Sequence, residues 1–245
     1  VQYFKYLVNL LQGNFGESFS GRPVWDEIMQ AFPVTFRLAL IAIIFEIVIG
    51  ISAGILAALN RGGFWDNLVL ISTLIVISIP VFVIGFLAQF TFGIKLGWFP
   101  PTVGPNATVY ELLLPAFVLA SLSLAYVARL MRANLTENLR ADYVRTATSK
   151  GLSRQRVIGR HAVRNSLIPV VTFIGADFGA LLGGAIVTEG IFNIRGIGGL
   201  LYLSIRTREG ATVVGVVTVL VLVFLLVNLL VDILYGAIDP RIRYE

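Results

Sequence analysis

The sequence predicts an all-α polytopic membrane protein, and this prediction rests on composition and on long apolar segments. Hydrophobic residues make up 57% of the chain and charged residues only 13%, whereas charged residues approach about a quarter of a soluble globular domain. Five apolar segments are each long enough to cross the ~30 Å hydrocarbon core, which takes about 20 helical residues. We place these transmembrane helices at 35–59, 68–94, 112–132, 170–189 and 211–236.

Composition also excludes several kinds of functional site. The chain contains no cysteine and a single histidine, His161. Disulfide frameworks, thiolate metal sites, cysteine nucleophiles and metal sites built from several histidines are therefore excluded, and we predict no catalytic, cofactor or metal residue. The net charge of +5 does not indicate nucleic-acid binding, because the basic residues flank apolar segments instead of covering a soluble face.

Residues 1–34 are predicted to form an extracytoplasmic amphipathic segment before the first transmembrane helix. Tyrosine and leucine residues recur at helical spacing at its beginning, as in a helix that lies at the membrane interface. Glycines and serines between Gly13 and Gly21 then predict a loop. We expect a second short helix over 24–32, ended by Pro33 because its ring removes a backbone donor.

Prolines and glycines predict how the transmembrane helices are interrupted and joined. Pro80 lies in the middle of the second segment and should kink it. The following link, residues 97–101, places Trp98 and Phe99 at a membrane border before two prolines break the helix. Residues 190–210 contain too many glycines for a transmembrane helix, so we expect a loop there.

One basic loop predicts the orientation of the chain. Nine Arg and Lys residues lie between Arg129 and Pro169, against two acids. Because Lys and Arg concentrate in cytoplasmic loops, this loop, Arg61 and the C-terminal tail should be cytoplasmic. Five helices then place Val1 outside and Glu245 inside. We expect one further helix before Val1, which gives six in the full chain and puts both termini in the cytoplasm.

Spacing within the basic loop predicts two short helices joined by a tight turn. The first covers 139–150, and Gly151 stands where a helix ends in a left-handed residue. Ser153 can cap the second helix, and Pro169 marks entry to the next transmembrane helix. The second helix should carry one shared face, formed by Val157, Ile158, His161, Ala162 and Asn165. The alternative is a loop that only carries positive charge and attracts anionic lipid.

These residues resemble the EAA loop, which marks the inner-membrane permease subunits of binding-protein-dependent ABC importers. Thr146 and Ala147 precede Gly151 at the motif's spacing, and Ile168-Pro169 follow that glycine by seventeen residues. The string YVRTATSKGLSRQRVIGRHAVRNSLIPVVT is similar to the branch that contains dipeptide, oligopeptide and nickel permeases. The segments GNFGESFSGRPV, KLGWFPP and EGIFNIRGIGGLL extend the likeness over nearly the whole chain. Arg145 stands where the general motif has Glu.

The resemblance implies a bacterial inner-membrane permease with residues 35–245 as its transmembrane domain. Residues 133–169 would be the coupling loop that docks on a cytoplasmic ATPase. The implied partners are a second homologous permease, two ATPase subunits that bind ATP and magnesium, an extracytoplasmic substrate-binding protein and the lipid bilayer. The implied ATPase-coupling residues are Arg145, Thr146, Ala147, Lys150, Gly151, Leu152 and Ser153. The implied outer gate loop contains Glu189, Phe192, Gly196 and Gly198, whose glycines would allow movement.

Three acids fall inside the predicted transmembrane helices, where ionisable residues are expensive and usually functional. Glu46 could pair with a neighbouring helix, and Asp232 lies near the cytoplasmic end, where a structural role is favoured. Asp177 lies in a stripe formed by Gly175, Gly179 and Gly183. This stripe has two interpretations: helix packing, or a water-filled translocation path in which Asp177, Gly179 and Gly183 meet the amino terminus of a peptide.

Two functions fit this permease architecture, and two further alternatives belong to other classes of membrane protein. Import of short peptides is the first, and import of a nickel chelate or another small solute is the second. A secondary transporter driven by an ion gradient would show inverted repeats, and no clear repeat is visible. A membrane-embedded hydrolase would need a nucleophile and base or a metal set, and the sequence offers neither.

Overall fold

The computed structural model describes Phe4, residues 8–10 and residues 12–238, without the side chains of 184, 232 and 234–238. The expected C-terminal basic tail, much of the expected N-terminal amphipathic helix and the Asp232 side chain therefore lie outside the described residues. The fold is all-α, as predicted. Its helices are α1 Val24–Leu59, α2 Phe64–Ser78, α3 Val81–Lys95, α4 Val109–Asn138, α5 Asp142–Ser149, α6 (Arg154–Arg156, Val157–Val163 and Arg164–Phe192), α7 Ile197–Arg206 and α8 Gly210–Ile238.

Helix α1 begins at Val24 and passes without a break through Pro33. The expectation of a short helix ended by Pro33 was wrong. In a membrane, ending the helix would leave several backbone groups without partners, whereas one proline removes a single donor. Helix α1 therefore includes the segment 35–59, with a π-helical turn at Glu46–Gly50.

Helices α2 and α3 are one apolar segment that is broken in the middle. Ile79 is extended, Pro80 follows it, and the two helices are bent by 103°. The predicted kink at Pro80 is confirmed and is sharper than a simple bend. Helix α2 has 15 residues, about 22 Å of helix and less than the ~30 Å core. By length and composition the described chain has four membrane-crossing helices, or five if the bent pair crosses as one.

Helix α4 is the centre of the bundle and packs against α1, α2 and α6. Its start is fixed by a capping box, in which Thr108 and Glu111 satisfy each other's backbone donors. The contact with α1 depends on Gly54, because a Cβ there would lie 2.6 Å from both the Ala128 carbonyl oxygen and the Met131 Cβ. The G-x-x-x-G pair of α1, Gly50 and Gly54, therefore serves helix packing.

An ion pair closes one end of the bundle, which we call the basic end. Asp66 is almost fully buried and accepts two hydrogen bonds from the Arg132 guanidinium, one of them through Nη2 at 2.8 Å. The backbone amide of Gly62 donates to the same carboxylate at 2.8 Å. This pair fixes the short α1–α2 turn to α4, and it places Arg61 at the same end as the basic loop.

At the opposite end, hydrogen bonds join segments that are distant in sequence. The Val103 amide donates to the Phe192 carbonyl at 2.9 Å. Gln89 of α3 donates through Nε2 to the Pro101 carbonyl at 2.7 Å and to the Ile191 carbonyl at 2.9 Å. These bonds hold the α3–α4 link against the end of α6.

Candidate functional site

The surface of the basic end is built around the short helix α5. Val144 and Ala147 are buried and pack with Met131, Leu135 and Val157 of the neighbouring helices. The opposite face of α5 is exposed. An eight-residue helix is marginal by itself, so this apolar contact is what holds α5 against the bundle.

The turn after α5 has the left-handed glycine that the sequence predicts. Gly151 has φ of +77°, and nothing lies within 4 Å of the position of a Cβ. Ser153 is the residue before α6, as expected, but its side chain makes no capping hydrogen bond. The helix that follows is not a separate surface helix, because α6 runs on through Pro169 to Phe192. The apolar environment again favours continuing the helix at a proline.

A π-helical turn at Val157–Val163 determines which residues of early α6 are buried. An extra residue in such a turn shifts the buried face, because the hydrogen bonds join residues five apart. Val157 and Ala162 are buried, His161 is half-buried and Asn165 is exposed. The predicted face was therefore wrong at Asn165, since it assumed an unbroken α-helical period.

The structure divides the predicted coupling residues into an exposed set and an inward set. Ala147 is buried and Leu152 is half-buried, and both pack against the bundle. The Arg145–Asp142 ion pair is long at 3.7 Å and solvent-exposed, so it contributes little. The exposed residues form one continuous surface on α5 and its turn: Arg145, Thr146, Lys150, Gly151 and Ser153.

Asn138, which the sequence analysis did not single out, connects α5 to two long helices. Its amide nitrogen donates to Ser166 of α6 at 3.0 Å and to the Asn134 carbonyl at 2.9 Å. Its amide oxygen accepts a hydrogen bond from the Tyr143 hydroxyl of α5. Ser166 is fully buried and donates to the Ala162 carbonyl at 2.7 Å. An asparagine at a helix end has many possible roles, so sequence alone gave no signal for this one.

Two acids meet inside the bundle. Glu46 is fully buried at the start of the π-helical turn of α1, and its carboxyl lies beside that of Asp177 on α6. No donor among the described residues reaches either oxygen of Glu46. Ser123 of α4 lies near Asp177. Glu46 does face a neighbouring helix, as expected, but its neighbour there is another acid.

The glycine stripe of α6 has different surroundings at each position. A Cβ on Gly175 would lie 2.8 Å from Val231, and one on Gly179 would lie 3.1 Å from the Phe224 ring, both on α8. Nothing lies within 4 Å of a Cβ at Gly183. Two of the three glycines therefore pack α6 against α8, and the third faces open space.

At the opposite end, Glu189 holds three helices together. It is fully buried and accepts hydrogen bonds from Thr35 of α1 at 2.6 Å and from the Gly199 amide at 2.7 Å. Thr35 in turn accepts from the Ile197 amide at 2.8 Å. Glu189 and Thr35 thus satisfy backbone donors at the start of α7, where negative charge is favourable.

The remaining residues of the expected gate loop are packed tightly. Phe192 is fully buried in the core. A Cβ on Gly198 would lie 2.7 Å from the Ile186 Cα, and Gly196 is in close contact with the Glu189 carboxylate. Gly198 permits close packing of α7 on α6, and movement at these glycines stays a prediction. The segment 190–210 does not form a transmembrane helix, as predicted, but it is not only a loop, because it contains the ten-residue helix α7.

The described residues contain no group of three His, Cys, Asp or Glu side chains that could hold a metal ion. The site consists of an exposed basic surface that is fixed to two long helices, together with polar groups inside the bundle. Such an arrangement can transmit movement from a protein bound at the basic end into the membrane helices.

The chain is also similar to a known protein family and to individual members of it. Residues 50–244 match the family described as "Binding-protein-dependent transport system inner membrane component". The chain is 40% identical to the di/tripeptide transport system permease DppB of Pseudomonas aeruginosa, with 100% of this chain and 81% of the relative aligned. It is 39% identical to the oligopeptide permease OppB of Haemophilus influenzae, over 99% of this chain and 80% of that protein.

Two further similarities point the same way. The chain is 41% identical to the glutathione transport system permease GsiC of Escherichia coli, over 100% of this chain and 79% of the relative. Among solved structures, the inward-facing MetNI methionine ABC transporter matches with a TM-score of 0.70 at 17% identity, over 86% of this chain and 96% of that one. The latter likeness concerns the fold alone. The chain thus belongs to the family of inner-membrane components of binding-protein-dependent transport systems and is a permease subunit of an ABC importer.

Proposed function

We propose that this permease imports short peptides across a bacterial inner membrane. The observation that carries the proposal is similarity over essentially the whole chain to permeases named for di- and tripeptides, oligopeptides and glutathione. The chain forms half of the translocation path, and a second homologous permease forms the other half. A substrate-binding protein delivers the peptide from outside.

Two ATPase subunits supply the energy by binding ATP with magnesium at the basic end, which is the cytoplasmic end. The exposed residues Arg145, Thr146, Lys150, Gly151 and Ser153 contact the ATPase. Ala147 and Leu152 hold α5 against the bundle. Because Asn138 hydrogen-bonds to both α5 and α6, a displacement of α5 moves α4 and α6 with it.

The translocation path passes the open side of α6. Gly183 faces open space and Asp177 is only partly buried, whereas Gly179 packs on α8. Two carboxyls that lie side by side cannot both carry charge at low cost in a membrane, so Glu46 and Asp177 together carry at most one negative charge. This charge attracts the free amino group of a peptide.

Replacing Asp177 with asparagine is expected to raise the KM for peptides with a free amino terminus by about tenfold, since an ionic hydrogen bond is lost. ATP-driven uptake into proteoliposomes measures this. N-acetylated peptides serve as the control, and their KM should not change. An equal rise in KM for both kinds of peptide would contradict the proposed contact between Asp177 and the amino terminus of the peptide.

The function itself is tested with the complete transporter, purified with its ATPases and binding protein. We expect peptide-loaded binding protein to stimulate ATP hydrolysis and uptake. Stimulation by a nickel chelate and not by peptides would contradict the substrate class but keep the importer. Uptake driven by an ion gradient without ATP would contradict the importer itself.

A further inference from the structure

A pocket of about 920 Å³ opens at the end of the bundle opposite the basic end. Its walls come from the turn at residues 18–22, the first turns of α1, and the segment that runs from Glu189 through α7 to Glu209. The Glu209 carboxylate accepts a hydrogen bond from the Phe19 amide, which ties the first wall to the last. A pocket of this size falls in the range that small ligands use.

Three arginines line this pocket: Arg22, Arg195 and Arg206. None of them forms an ion pair with a described acid, since the ion pairs of the described residues are Asp66–Arg132 and Asp142–Arg145. Arg206 lies 5.8 Å from the centroid of the Tyr202 ring, which helps to orient its guanidinium. The guanidinium groups are therefore available to a ligand.

The acids of the same walls are already engaged by their own chain. Glu27 accepts hydrogen bonds from the hydroxyls of Ser18 at 2.9 Å and Ser20 at 3.2 Å. Glu209 accepts from the Phe19 amide, and Glu189 is fully buried beneath α7. The three arginines are therefore the charged groups of the pocket that have neither an ion-pair partner nor a carboxylate acceptor among the described residues.

The rest of the pocket surface fits an organic anion better than an inorganic one. Phe19, Tyr202 and Leu203 are all exposed and line the pocket. Large apolar side chains beside a few charged groups are the usual composition of a site for an organic ligand.

We propose that this pocket binds the free C-terminal carboxylate of an incoming peptide through Arg195 and Arg206, with Arg22 at the rim. The proposal rests on the peptide-import function proposed above, and it adds a specificity site at the outer end of the permease. Guanidinium groups suit this role because they can hold a carboxylate with two parallel hydrogen bonds.

The test uses the complete transporter and the dipeptide alanyl-phenylalanine, either as the free acid or as its C-terminal amide. The double variant Arg195→Gln/Arg206→Gln is compared with Arg208→Gln. Arg208 is an exposed arginine of the same segment that does not line the pocket, so its variant controls for the loss of one positive charge, and the single variants Arg195→Gln and Arg206→Gln are compared with it directly. Binding of both peptides to the purified complex is measured without the binding protein, and uptake is measured with it.

The wild-type complex should bind the free acid at least about tenfold more tightly than the amide, as for a lost ionic hydrogen bond. The double variant should lose this preference, and Arg208→Gln should keep it. An unchanged preference in the double variant overturns the site. The site is also overturned if the double variant loses uptake of both peptides equally and no longer captures the binding protein. That result would make the arginines a docking surface for the binding protein. Either result leaves peptide import standing, whereas failure of the wild type to import either peptide removes the function itself.

Discussion

Replacing Gly151 with valine is expected to reduce peptide-stimulated transport by at least about tenfold while the transporter still assembles. Gly151 has φ of +77°, and a residue with a Cβ costs about 1–2 kcal/mol in that region, more if it is β-branched. No atom lies near the position of the Cβ, so the effect comes from the backbone and not from a clash. The turn would relax to another conformation and move Lys150 relative to Ser153 on the proposed ATPase contact.

Gly159 supplies the matched control for this prediction. It is also exposed, and nothing lies within 4 Å of a Cβ there, but its backbone is helical. Gly159→Val should therefore keep most of the transport activity. Gly151→Asn should be intermediate, because asparagine tolerates left-handed backbone. The measurements are uptake and ATP hydrolysis per assembled complex. Normal uptake by Gly151→Val, or equal losses at both glycines, would contradict the role of the turn.

Replacing Glu189 with leucine is expected to lower the thermal stability of the purified permease complex by at least about 5 °C. The carboxylate is fully buried and accepts from Thr35 and from the Gly199 amide. Each buried donor left without a partner costs about 1–3 kcal/mol. The Gly199 amide at the start of α7 would also lose its acceptor. A lower yield of folded complex should accompany the loss of stability.

Three variants test whether the hydrogen bonds that join α1, α6 and α7 at Glu189 account for the loss of thermal stability. Glu189→Gln keeps the side-chain size and one acceptor, so its loss should be smaller. Thr35→Val removes the bridge to the Ile197 amide, and its effect should not add fully to that of Glu189→Leu, because both act on one network. Glu17→Gln removes an exposed acid at the same end and should leave the melting temperature unchanged. Full additivity, or an unaffected Glu189→Leu, would refute the network.

Some features of the candidate site could be predicted from sequence because they depend on short-range rules. A left-handed backbone at Gly151 follows from the position of a glycine after a short helix. The break at Pro80 follows from the missing backbone donor. The predictions at Pro33 and Pro169 failed in the same way. Each proline also lacks the backbone donor, but the helix continues through it. Whether a membrane helix breaks at a proline or continues through it depends on whether the backbone groups around the proline can find other hydrogen-bond partners.

The sequence by itself determined the all-α membrane fold, the positions of the apolar segments, the basic loop and the family. Hydropathy, charge and motif spacing are properties of neighbouring residues, so they can be read without coordinates. Only the tertiary structure decided which residues face inward and which meet across the bundle. Burial of Ala147, the contact of Glu46 with Asp177 and the capping of α7 by Glu189 all join residues from distant helices. Their packing depends on helix rotation and on local π-helical turns, which a periodic pattern does not specify.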